Sequence, residues 1–441
     1  MGWMAMPFRD FLRAYNQTFE WDRLSVFGES TNLIEEGKLL LGCEGRRTNN
    51  GFKYDFKKPV YIPFDVNSES PPSILVIGKK GYGKTIEVMN LVSQFYYDFR
   101  MNCFLIDPKA NLFTHKFPQQ IPENIVNLNK ANIQPRGLPK TLISPKMFTT
   151  STKFKYTDRF YSITMKDFDR IADYSIKKDL VMAVLGLKDS DPSQRKLGEI
   201  MTYSPKTFKD MFMVCKHINE DEKKGWKRVS IFDNALKQKI SEGVVSDTDD
   251  VDIVGLMQDS VVVLQCSLSP TEEVNSTFVA FALAQIKDGL ESKKLSGKTL
   301  IVIDEGDVLA PSGISNPPSK QFCTQLYTKW RSDGAVPLVI AQDPGNLTNT
   351  ILQQVDYVLT PAIGYGTSES KFIAEHFPSV NPYRLTMLDC GLPGEYPKQY
   401  AVIDPNQHVR TFYPLPPYSA HYYGNVENDM ANWAAEPTAG I

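Results

Sequence analysis

Six short stretches of this chain are apolar at successive positions rather than at alternate ones. They are SILVIG (73–78), CFLIDP (103–108), SVVVLQCSL (260–268), TLIVIDE (299–305), PLVIAQD (337–343) and DYVLTP (356–361). A strand with one face in water alternates apolar and polar residues; a strand covered on both faces does not. Such runs point to a parallel sheet sandwiched between helices. Helix-patterned segments separate many of them, at 84–99, 275–294 and 319–332. Alternating strand and helix implies an α/β fold with a mostly parallel sheet.

The remainder of the chain is organised around these runs. Residues 160–250 are charged and helix-patterned, as in TMKDFDRIADYSIKKDLVMAVLGL and SIFDNALKQKISEGV. They predict a helical subdomain inserted between two sheet strands, at about 150–255. FRDFLRAYNQTFEWDRL near the start is amphipathic. Residues 38–65 alternate around the turn pair Asn50-Gly51, which predicts a small β-hairpin. SGISNPP (312–318) reads as a loop. The end, TFYPLPPYSAHYYGNVENDMANWAAEPTAGI, is rich in proline and tyrosine and reads as an extended arm or tail. The expected division is 1–69 for the helical segment and hairpin, 70–415 for the α/β core with its insertion, and 416–441 for the tail.

Composition excludes several classes. A length of 441 residues, 42% hydrophobic and 23% charged, suits a soluble globular chain of two or three domains or one large domain with insertions. The net charge of −2 gives no global basic signal, so any nucleic-acid contact must come from a local patch or from a ring of subunits lining a channel. The six cysteines form no CxxC pair, and the five histidines show no ligand spacing, so neither a disulfide frame nor a zinc site is expected. The start lacks a continuous apolar core and the Ser or Thr that myristoylation needs. No run approaches the roughly 18 apolar residues of a spanning helix. The expected location is the cytoplasm.

Residues 78–85, GKKGYGKT, fit G-x4-G-K-[ST], the Walker A motif, directly after the first buried run. Gly78, Gly81 and Gly83 allow backbone angles and close approach that side chains would block. The successive amides from Lys79 and Lys80 through Tyr82, with the N-terminus of the following helix, form an anion cradle. Lys84 would reach the β- and γ-phosphates, and Thr85 would coordinate Mg²⁺. The ligand this pattern grips is a nucleoside triphosphate such as ATP.

TLIVIDE supplies the other half. Asp304, at a strand end, suits the Mg²⁺ shell, and Glu305 suits the base that activates water. A paired acid here favours hydrolysis over kinase chemistry. PLVIAQD puts Gln342 at another strand end, where it can sense a γ-phosphate. Arg331, eleven residues earlier in YTKWRSDG, could project into a neighbour's site as an arginine finger in a ring ATPase.

GKKGYGKT, LIDPKAN, LIVIDE, KWRSDG and VIAQD together resemble the HerA/FtsK superfamily of ring-forming, DNA-pumping ATPases, over about 70–115 and 255–400. That superfamily includes the conjugative coupling proteins and the ATPases of type IV secretion. The resemblance implies a RecA-like core, a homo-hexamer, and double- or single-stranded DNA threaded through a channel. It implies roles for Lys84, Thr85, Asp304, Glu305, Gln342 and Arg331 as given, and has Asp107 of Asp107-Pro108-Lys109 shaping the site. A nuclease, relaxase, portal or membrane channel would be a fitting partner. The hairpin at 38–65 looks like a much-reduced β-barrel of the HerA kind. Two positions depart from the pattern: Lys80 stands where a threonine is commoner, and Gly306-Asp307 follow the acidic pair. Candidate DNA-contacting bases are Lys79, Lys80, Lys153, Lys155, Lys177, Lys178, Lys223, Lys224, Lys227 and Arg228. The competing readings are a P-loop ATPase that remodels protein and a nucleotide-gated assembly switch. The absence of an LSGGQ-like stretch argues against a transporter ATPase.

Overall fold

The computed structural model describes residues 31–48, 51–109, 118–119, 121–145, 159–163, 171, 173–186, 191–221, 229–241, 244–245, 251–266, 272–313, 316–391 and 397–419. Its strands are β1 (Lys38–Thr48), β2 (Gly51–Pro63), β3 (Ile74–Ile77), β4 (Asn102–Asp107), β5 (Lys140–Pro145), β6 (Arg159–Ile163), β7 (Val261–Gln265), β8 (Thr299–Ile303), β9 (Ala335–Ala341), β10 (Tyr357–Pro361), β11 (Tyr400–Ile403) and β12 (Val409–Pro414). They make one sheet in the order β2-β1-β12-β11-β10-β3-β9-β8-β4-β7-β5-β6. From β10 to β6 every pairing is parallel. From β10 back to β2 every pairing is antiparallel.

The six apolar runs are β3, β4, β7, β8, β9 and β10, and the reason they lack alternation is visible. Leu75, Ile77, Phe104, Ile106, Ile301 and Ile303 join the core on one side of the sheet. Ile74, Val76, Cys103, Leu105, Leu300 and Val302 join the core on the other. Both faces of each strand are covered, so polar residues have no place on either. The Walker-helix side is packed by Lys84–Tyr97, whose Val88, Leu91, Val92 and Phe95 enter the second core. The long helix Glu272–Glu291 covers the first.

Four strands arise where none was read: β5, β6, β11 and β12, the last running into the stretch read as a tail. β5, KTLISP, is fully buried although three of its residues are polar, so its run is broken in the sequence. It pairs with β6, RFYSI, which extends the sheet at its edge. β6 lies inside the stretch expected to be helical; it is five residues long, too short to show its period. Among the described residues of that stretch, helices run over Tyr174–Val184, Asp191–Met201, Phe208–Asp221 and Val229–Ser241. Ile176, Leu180, Leu197, Phe208, Met211, Phe232 and Leu236 pack into the same core as the sheet face.

The hairpin β1–β2 pairs Thr48 with Gly51 across the turn, and β1 joins the main sheet through β12. A third core lies beneath it, where Leu33, Leu40, Tyr54, Leu128, Ile133, Leu415 and Tyr418 meet. The Pro/Tyr-rich end is therefore structural as far as Ser419. Tyr418 donates its amide to Asn90 Oδ1 (3.1 Å), and its carbonyl accepts from the amides of Gln119 and Arg136. The amphipathic N-terminal piece and residues 420–441 lie outside the described residues. Among the described residues no helix is long and apolar enough to cross a membrane.

Candidate nucleotide site

The site is built at the C-terminal ends of β3, β8 and β9, which lie side by side. β3 stops at Ile77, and Gly78 turns the chain with φ +132°, an angle L side chains rarely adopt. A Cβ at Gly78 would also stand 2.7 Å from the Pro361 ring of the neighbouring β10 end. The loop closes at Gly83, φ +84°, which caps the helix Lys84–Tyr97 with no side-chain hydrogen bond. The helix's first amides are thus left for an anion.

Lys84 is buried. Its ammonium donates to the carbonyls of Gly78 and Lys79, the latter at 3.0 Å. Burial pushes its pKa down, and the nearby charges of Asp304, Glu305, Asp307 and Glu369 partly hold it up. It is a cation held in place by weak acceptors beside an acidic cluster. Lys79 and Lys80 are exposed on the loop, and Thr85 is half-buried in the first helical turn.

Asp304 follows β8, its amide bonded to the Ile106 carbonyl of β4 at 3.1 Å. Its carboxyl is nearly inaccessible. Burial, and then the charges of Asp107 and Glu305, raise its pKa to about 7, against a hydrogen bond from the Glu305 amide. Asp107, at the end of β4, is fully buried and acts on the site through that charge. The next residue, Glu305, has φ +57°. A non-glycine residue held there costs on the order of 1–3 kcal/mol. The turn aims the buried Glu305 carboxylate across to β9, where Gln342 Nε2 donates to its Oε1 at 2.5 Å.

The unusual Gly306-Asp307 pair has a physical reason. A Cβ at Gly306 would meet Val339 Cγ1 at 2.5 Å, so glycine lets β8 and β9 close up beyond the acids. Asp307 then accepts from the amides of Gln342 (3.4 Å) and Asp343 (3.3 Å). Asp307 thus fixes the segment that carries Gln342, a role the sequence did not suggest. Asp343 in turn accepts from the Ser368 hydroxyl.

Two further residues were not read from the sequence. Lys398 donates to the Gly81 carbonyl at 3.0 Å and lies 4.4 Å over the Tyr82 ring. The Tyr400 hydroxyl donates to the Tyr82 carbonyl at 2.8 Å. β11 and the residues before it therefore brace the phosphate loop from outside. Only their position in the sheet reveals this; in the sequence they lie more than three hundred residues away.

Arg331 is not brought to this cluster. It precedes the seven-residue β9 while Gln342 follows it, which separates them by about 20 Å. Its guanidinium bonds to Asp356 Oδ2 (2.6 Å) and to the Pro71 carbonyl (3.0 Å). It is too far from its own chain's Glu305 to touch it. Of the candidate DNA-contacting lysines, Lys177 and Lys178 are half-buried on the helix Tyr174–Val184. Lys153, Lys155, Lys223, Lys224, Lys227 and Arg228 lie outside the described residues.

The donors present suit magnesium better than a tightly caged metal. Among the described residues there is no group of three or more His, Cys, Asp or Glu side chains placed to hold an ion. Asp304 and the Thr85 hydroxyl are hard oxygen donors. Mg²⁺ takes one or two such protein ligands and completes its shell with phosphate and water.

No family model matches this sequence, and no curated protein sequence matches it. Solved structures do. VirB4 of Thermoanaerobacter pseudethanolicus superposes with a TM-score of 0.52 at 12% identity, covering 90% of this chain and 100% of that one. The bacterial conjugative coupling protein TrwB gives 0.51 at 11% identity, covering 81% and 88%. The same plasmid coupling protein with the non-hydrolysable GTP analogue GDPNP gives 0.50 at 13%, covering 82% and 88%. This chain has the fold that VirB4 and TrwB share, a RecA-like P-loop core on a large, mostly parallel sheet.

Proposed function

We propose that this chain is an ATP-hydrolysing motor subunit of the HerA/FtsK kind, which assembles into a hexameric ring and moves DNA. The observation that carries the hydrolase reading is convergence. Lys84, Asp304, Glu305 and Gln342 come from three separate strand ends and meet in one acidic cleft beside an uncapped helix N-terminus. Lys84 and the loop amides bind the triphosphate, Glu305 takes the proton of the attacking water, and Gln342 links that base to β9. Mg²⁺ on Asp304 and Thr85 would neutralise charge on the β- and γ-phosphates. The DNA reading is supported by the superfamily resemblance and by the likeness to TrwB, a plasmid coupling protein. A nuclease, relaxase, portal or membrane channel would then be the partner that gives the motor its task.

The deciding experiment is ATP hydrolysis by the purified chain with and without double- or single-stranded DNA. Stimulation by DNA is expected. Turnover indifferent to both would discard the motor in favour of a protein remodeller or an assembly switch. The same assay tests Arg331 as a finger acting in trans. Arg331→Ala alone should be inactive, yet mixing it with a Lys84→Ala chain should restore turnover. Full turnover by Arg331→Ala alone would rule the finger out.

Asp304 makes the site sensitive to pH in a definite direction. Its folded pKa of about 7 lies above the unfolded value, so the folded chain holds this proton from about pH 4 up to about 7. The stability this contributes is complete at low pH and is lost as pH rises through about 7. Magnesium with nucleotide needs the ionised carboxylate, so its stabilisation should grow over the same interval. Thermal unfolding with and without Mg²⁺ and a non-hydrolysable ATP analogue, at pH 6 and pH 8, reads the difference. The gain should be larger at pH 8, and Asp304→Asn should abolish the dependence. A gain equal at both pH values would contradict this.

A further inference from the structure

Glu305 has a second partner. Lys109 lies in the turn that follows β4, and its ammonium lies 2.7 Å from Glu305 Oε1, the oxygen that also receives the Gln342 amide. The pair is asymmetric. The carboxylate side chain is 7% exposed, and the lysine side chain is 51% exposed. A buried carboxylate cannot move away cheaply, whereas a half-exposed lysine on a flexible four-carbon stem can. The pairing also has a chemical consequence. The ammonium and the Gln342 amide together take up Oε1 and leave Oε2, and an ammonium paired with the carboxylate makes it a weaker base for a water proton.

Position then decides where the lysine would go. A base that activates the attacking water sits one water molecule from the γ-phosphate. A group touching that base is within one side-chain swing of the γ-phosphate oxygens. Among the described residues the anion paired with Lys109 is Glu305, which itself lies within reach of the charges of Asp304 and Asp307. A γ-phosphate brings a denser negative charge with several acceptor oxygens, and ADP brings none at that place.

We infer that Lys109 senses the γ-phosphate: it masks the base Glu305 in the nucleotide-free chain and moves to a γ-phosphate oxygen when ATP binds, which frees the base. This rests on the reading of the cleft as a hydrolytic site. It makes base availability conditional on the substrate and explains why a lysine stands on a residue that must be free to work.

Calorimetric titration with ADP and with a β,γ-methylene ATP analogue tests it in four proteins. Lys109→Ala should weaken the analogue about tenfold, one charge-assisted hydrogen bond, and leave ADP within about twofold. Lys109→Arg should keep most of the preference. Glu305→Gln releases the lysine from its ion pair, so it should tighten the analogue by about threefold or more without changing ADP. In the Lys109→Ala background, Glu305→Gln should have no such effect. A structural role for Lys109 would instead weaken both nucleotides alike, and that result would overturn the inference. So would a Glu305→Gln gain that persists without Lys109. If the wild-type chain binds neither nucleotide, the hydrolase reading falls together with the inference. If it binds and hydrolyses ATP while Lys109→Ala keeps the preference for the analogue over ADP, only the inference falls.

Discussion

Glu305→Gln should lower ATP turnover by about a hundredfold to ten-thousandfold, the usual contribution of a positioned general base, while nucleotide stays bound. The amide matches the carboxylate in shape and keeps an oxygen for the Gln342 donor, which is 2.5 Å away in the native chain. The left-handed backbone at Glu305 is no more strained by glutamine than by glutamate. The fold should therefore survive, and the loss should fall on kcat. Single-turnover hydrolysis measured next to equilibrium nucleotide binding separates the two. Turnover within about fivefold of wild type would remove Glu305 from the role of base and direct attention to another acid, such as Asp307.

Lys84→Ala should have the complementary effect. Among the described residues its ammonium bonds to the Gly78 and Lys79 carbonyls. Removing it takes a buried charge out of the protein, so little stability is lost with it. Binding is another matter. Charge-assisted bonds to phosphate oxygens contribute about 1.5–3 kcal/mol each, so losing two should weaken ATP by at least about a hundredfold. Binding of a fluorescent ATP analogue, with thermal unfolding as a control for folding, measures this directly. Affinity within about threefold of wild type would mean that the glycine loop is a structural turn and not a phosphate grip.

The two substitutions probe what was most legible in the sequence. The buried strands β3, β4, β7, β8, β9 and β10 could be read because each is apolar on both faces. Asp304, Glu305 and Gln342 could be read because each lies within two residues of the end of such a strand, where parallel sheets present functional groups, and Lys84 because it closes the glycine-rich motif that follows β3. β5 was hidden because it buries Lys140, Thr141 and Ser144 within its run. Lys109, Asp307, Lys398 and Tyr400 were hidden for a different reason. Their roles depend on which strand lies next to which: Lys109 meets Glu305 because β4 pairs with β8, and Asp307 meets Gln342 because β8 pairs with β9. Strand order is a long-range property, and no local pattern encodes it.

The seating of residues 415–419 decides how this chain can be shortened. Asn90, on the inner face of the Walker helix, donates to the Leu415 carbonyl at 3.1 Å and accepts from the Tyr418 amide. Arg136 stacks on the Tyr418 ring, 5.6 Å from its centre, and also clasps Asp98 just past the end of that helix. A stop codon placed before 420 would strip the back of the helix whose front end holds the phosphate loop. A fusion tag appended at 415 would wedge into the same seam. Expression clones made to trim the proline-rich end should therefore keep Ser419, and cross-linkers or dyes meant to report on the C-terminus belong beyond it.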